Sequence, residues 1–169
     1  MAERPPRRRP ELWWVLVSIL LVFGIGVATY LRWLNFHILI GPLYLHHWAS
    51  YTGVTFIAVF TPLYAFLKRR YPQSFKTLIK IHIIGNLTAF LLVTIHMAHH
   101  LGEPKGFAPR PGTGVTLYFS VLTLVITGFL TRYQLAGKQG RFIRFVHTGI
   151  ITAFYFIIFI HILRGLMLI

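Results

Sequence analysis

The chain predicts an all-α fold: an integral membrane bundle of five transmembrane helices, with the N-terminus inside and the C-terminus outside. Three observations point there. Of 169 residues, 56% are hydrophobic and 12% charged, and the mean hydropathy of +0.66 lies beyond that of an ordinary soluble domain. The apolar residues fall into five long runs. The 17 lysines and arginines gather in the polar segments between those runs instead of along one basic face.

Residues 1–11, rich in Arg and Pro, read as a disordered basic cytoplasmic tail, and residues 12–169 as a single membrane domain. The apolar run after the tail is long enough to span and shows no small-residue cleavage site, which favours a membrane helix over a signal peptide. The expected spans are about 12–34, 46–67, 77–100, 115–132 and 142–168, each reaching or approaching the ~20 residues that cross hydrocarbon as a helix. Lys68-Arg69-Arg70 stops the second, and a Pro- and Gly-rich loop from Gly102 to Gly114 separates the third from the fourth. Between spans one and two, Asn35–Leu45 is mostly apolar and broken by Gly41-Pro42, the pattern of a segment lying at the outer surface.

Orientation follows from counting. With the N-terminus inside, 13 cations are internal (Arg4, Arg7, Arg8, Arg9, Lys68, Arg69, Arg70, Lys76, Lys80, Arg132, Lys138, Arg141, Arg144) and four external (Arg32, Lys105, Arg110, Arg164). Trp13, Trp14, Trp33 and Trp48 fall near span ends, as an interfacial belt requires. The net charge of +14 is therefore a topology signal, and no nucleic-acid partner is expected. The composition also excludes chemistry. With no cysteine there are no disulfides, thiolate metal sites, iron–sulfur clusters or covalently attached haem. The only acidic residues are Glu3, Glu11 and Glu103, outside the spans, which excludes a paired-carboxylate hydrolase and disfavours a carboxylate proton relay.

The most informative pattern is a repeated spacing. His82 and His96 lie fourteen residues apart in span three, as do His147 and His161 in span five. Fourteen residues cover ~21 Å of helix. They are also two heptads, so both histidines return to one facing position in a left-handed bundle. Spans three and five run the same way, which pairs His82 with His147 at inner depth and His96 with His161 at outer depth. That geometry suits two stacked haem b groups with bis-histidine ligation. One histidine in an apolar helix is more often a hydrogen-bonded packing residue or an interfacial anchor than a ligand; four at matched register and depth are much harder to dismiss. Gly85 and Ala89 could let a macrocycle approach span three, although small residues also serve bare helix packing. Phe154, midway between His147 and His161, could pack between the two groups or be plain core. Arg144 and Arg164 extend toward opposite surfaces and could meet propionates or simply snorkel; Lys80 and Arg132 are further inner-surface candidates.

His46, His47, His99 and His100 cluster at the outer face, with His37 nearby in sequence. They could bind a transition metal, dock an acceptor or relay protons, or serve only as interfacial polar residues. His47 and His99 also compete as ligands for the outer haem.

The four paired histidines and their topology resemble the ferric-reductase-like transmembrane domain shared by ferric reductases and NADPH oxidases. More distantly, they are similar to the cytochrome b of bc complexes, whose haem helices are expected in the opposite orientation. The resemblance covers residues 12–169 and implies His82, His147, His96 and His161 as ligands of haem iron. That family usually adds a sixth helix and often a flavin and NADPH module; here five spans are read, with no glycine-rich dinucleotide fingerprint. The expected role is an electron-transfer subunit of a cytoplasmic-membrane redox complex. It would exchange electrons with a quinone or partner redox subunits, with no complete catalytic module in this chain. The alternative is a membrane metal- or haem-handling protein using the outer histidines; a purely structural subunit would leave the four core histidines without a cofactor.

Overall fold

The computed structural model describes residues 10–103 and 112–165. Five helices carry the fold: α1 Pro10–Tyr30, α2 Leu45–Arg70, α3 Phe75–Leu101, α4 Thr113–Arg132 and α5 Gly140–Gly165. All five are long and apolar enough to cross a membrane. Even the 20 residues of α4 reach ~30 Å, the thickness of a hydrocarbon core. The tail at 1–9, most of the loop between α3 and α4, and residues 166–169 lie outside the described residues.

The first helix ends four residues earlier than expected, and its backbone shows why. Arg32 adopts a left-handed conformation (φ 64°). The Trp33 amide then donates to the Ala28 carbonyl (2.9 Å) and the Arg32 amide to that of Thr29 (3.1 Å), a Schellman cap. Gln134 (φ 56°) ends α4 in the same way, with Leu135 bonding back to Leu130. After α1, β1 (Leu39–Ile40) pairs antiparallel with β2 (Leu43–Tyr44) around Gly41, whose φ of +61° permits the reversal. This hairpin occupies the apolar loop expected at the surface and keeps Ile38, Leu39 and Ile40 exposed.

The central helix is α3, which packs on α1, α2 and α4, while α5 packs chiefly along α4. One mid-height layer collects side chains from all five helices: Val22, Ile57, Ala89, Phe90, Leu117, Val121, Phe154 and Ile158. Close approach of α2 to α3 depends on Gly53, where an added Cβ would come within 2.9 Å of the Ala89 carbonyl oxygen. The outer faces stay apolar, with Trp14, Leu20, Phe145 and Phe156 each about 70% exposed. A contiguous surface of this kind exceeds what a soluble monomer tolerates.

Pro62 lies inside α2. Having no N–H, it cannot bond to the Ala58 carbonyl one turn earlier. The Tyr155 hydroxyl of α5 donates to that carbonyl at 3.0 Å, so a gap in one helix becomes the docking point of another. We predict that Tyr155→Phe costs about 1 kcal/mol of stability, measured by thermal melting in detergent. In a Pro62→Ala background, where the helix bond is restored, the same change should cost markedly less.

Candidate functional site

The helices alternate in direction, so the bundle has two chemically different ends. One carries Lys68, Arg69, Arg70, Lys76, Lys80, Arg132, Lys138, Arg141 and Arg144. The other carries seven of the nine histidines, counting His161 of α5.

At the basic end lies a cavity of ≈ 520 Å³ lined by residues of all five helices, within the usual range of a small-molecule site. His82 of α3 and His147 of α5 both line it, with Phe154 and Tyr155 further along α5. Lys68, Arg132 and Arg144 supply its positive charge. Each imidazole is held from behind. The Thr127 hydroxyl donates to the Thr123 carbonyl at 2.6 Å, which leaves its oxygen to accept from His147 Nδ1–H at 2.9 Å. Nδ1 is thereby protonated and Nε2 keeps its lone pair for a ligand. The ring packs against α4 at Gly128, where an added Cβ would sit in ordinary contact, 3.4 Å from His147 Cε1. On the other wall, the His82 ring stacks on Tyr64 at 4.5 Å. The Asn86 side-chain nitrogen lies 3.1 Å from His82 Nδ1 and 2.6 Å from the His82 carbonyl. With Nδ1 accepting this bond the proton sits on Nε2. Metal ligation through Nε2 requires it to move to Nδ1, with Asn86 turning its oxygen to that side.

The opposite end repeats half of this arrangement. His161 Nδ1 lies 3.0 Å from the Thr113 hydroxyl. An added Cβ at Gly114 would meet the His161 ring at 3.2 Å. Thr113-Gly114 and Thr127-Gly128 are fourteen residues apart on α4, matching the histidines they support on α5. Sequence reasoning missed these supports, and their signal was an internal Thr-Gly repeat in register with the histidine repeat.

His96 stands differently from His82. It joins a knot of imidazoles, with ring centroids 4.6 Å from His100, 5.5 Å from His47 and 5.8 Å from His46. His99 is fully buried and turns toward His37 (Nε2 to Nδ1 3.4 Å) and Glu103 (3.8 Å). That direction carries it to the hairpin side, whereas His47 stays beside His96.

The remaining expected positions divide. Phe154 is 1% exposed and belongs both to the cavity wall and to the mid-height layer. Arg144 borders the cavity. Arg164 is exposed on the last turn of α5, and Lys80 is exposed on α3. Gly85 and Ala89, expected to flank a macrocycle, face α2 instead: the Phe56 ring of α2 covers Gly85, and Ala89 abuts Gly53. Their small size serves helix packing, because the α2–α3 contact lies on that side of α3.

A haem fits the donor set at the basic end: two imidazoles lining one cavity, apolar walls and three cations for carboxylates. At the histidine end the fit rests on His161 with its Thr113 support and on His96, which several imidazoles surround. The chain matches no known protein-family model, no curated protein and no solved structure.

Thr127 acts through His147, as a positioning residue. A haem held through His147 would be retained ~10–100-fold less tightly in Thr127→Val, with helix content unchanged. The check is haem titration of the apoprotein alongside far-UV circular dichroism.

Proposed function

We propose that this chain is a membrane electron-transfer subunit holding two haem b groups, one between His82 and His147 and one between His96 and His161. The observation that carries the reading is the basic-end cavity, lined by imidazoles from α3 and α5 together with Lys68, Arg132 and Arg144. When bound there, haem supplies a one-electron iron couple. His82 and His147 would hold its iron, one imidazole from α3 and one from α5. Lys68, Arg132 and Arg144 neutralise carboxylates at the mouth. Phe154 and the surrounding aliphatic residues keep water away from the space between the two sites. Thr113 and Thr127 fix the rings of the α5 histidines.

The five apolar helices lie in a plasma or cytoplasmic membrane, with the basic end inside and the histidine end outside. The cation distribution supports that orientation. Donor and acceptor are a quinone or partner redox subunits within a larger membrane complex, because the reading includes no flavin, nucleotide or cluster motif in this chain. The likeness to the ferric-reductase-like transmembrane domain belongs to this proposal and rests on the four histidines and their depths.

The reduced-minus-oxidised visible spectrum of the detergent-purified protein, with haem per chain from the pyridine haemochrome, tests the reading. We expect sharp low-spin b-type bands and two haems, with His147→Ala and His161→Ala each removing a different one. A chain that stays colourless when haem is supplied overturns it. Orientation is checked separately, since any introduced cysteine is the only thiol. Lys138→Cys should react with impermeant reagents only from the inner side, and Asn35→Cys only from the outer side.

A further inference from the structure

The knot of imidazoles at the histidine end has a chemistry of its own. His46, His47, His96 and His100 each offer one ring nitrogen, and these four atoms all lie within 4.8 Å of one another. His46 is 2% exposed. The Nδ1 atoms of His47 and His96 are buried without a hydrogen-bond partner. Two orphaned polar nitrogens in one small buried cluster are costly to leave in an apolar bundle. A bound cation offers the lone pairs here a partner.

We infer that His46, His47, His100 and His96 bind one first-row divalent transition-metal ion, zinc or copper. Neutral imidazoles with no carboxylate or thiolate among them suit these two ions and not magnesium or calcium. Tetrahedral coordination with bonds of about 2.0–2.1 Å requires the nitrogens to draw closer than their present spread, a movement of side chains alone. The surroundings have the form of a ligand support. His46 Nδ1 faces the Phe36 carbonyl at 3.4 Å, which directs its Nε2 inward. The His99 ring stacks on His46 at 4.0 Å. Trp48 Nε1 donates to the Ile40 carbonyl at 2.9 Å and ties the hairpin over this end. The site is independent of the haem at His82 and His147. It shares only His96 with the second haem; with His96 on iron, three imidazoles remain, the count of an open metal site.

The full-length protein, stripped with a chelator, is titrated in detergent with Zn²⁺ alone and with Cu²⁺ alone, and bound metal is counted by mass spectrometry. One saturable equivalent per chain is expected, unchanged in His161→Ala. The combined change His46→Ala, His47→Ala and His100→Ala should weaken binding by more than ~100-fold. His100→Ala alone, the milder change, should weaken it by at least ~10-fold with helix content intact. Absence of a saturable equivalent in the native protein, or equal affinity in folded His100→Ala, overturns the inference. Haem counted in the same samples separates the two proposals: a haem-free chain that still binds one metal, and loses it in His100→Ala, defeats the haem reading alone.

Discussion

Polar groups placed inside five apolar helices must find partners within the bundle, and most of the architecture can be traced to how this one requirement is met. Nine histidines are distributed through a chain with only three acidic residues, so ion pairing is scarcely available to them. The two α5 imidazoles use threonine hydroxyls on α4. His82 uses Asn86 one turn along its own helix. The histidines at the other end largely face one another, and three of their Nδ1 atoms stay unpartnered. An orphaned polar atom in a low-dielectric interior costs far more than the same atom in water. The ends therefore differ in what they still require: one offers a cavity with paired donors, the other a concentration of unused lone pairs.

The scaffold between them is organised by small residues and by one proline. At Gly53 a side chain would collide with the backbone of α3, and at Gly114 it would crowd the His161 imidazole. Pro62 removes one helical hydrogen bond, and Tyr155 takes up the released carbonyl across the bundle. In each case a local weakness in one helix is the condition for contact with the next. The helix α4 has a double role, since it packs along α5 while its threonines hold the α5 imidazoles.

Charge separates the two ends as clearly as cavity shape does. Lys68, Arg132 and Arg144 surround the cavity mouth and suit an anionic ligand edge. The histidine end holds Arg32, whose Nε donates to the Gly102 carbonyl and ties the end of α1 to the end of α3. Under the proposed function the two ends would meet different partners.

How much was legible beforehand varies with the range of the interaction. Helix number, approximate limits and alternation of direction follow from hydropathy and charge, because lipid imposes the same length and satisfaction rules on every span. The fourteen-residue repeats of His82 with His96 and of His147 with His161 are local periodicities, readable without knowing how the helices pack. The helix that ends at Tyr30 was misjudged because a non-glycine residue in a left-handed cap carries no compositional mark. The roles of Gly85 and Ala89 could not be read from α3 alone, since the face a small residue serves is set by whichever helix packs there. The convergence of His46, His47, His96 and His100 was equally out of reach. Sequence determines which side chains a helix carries and at what height, whereas the rotation of each helix about its axis is decided by packing against all the others. That rotation alone determines which nitrogens meet.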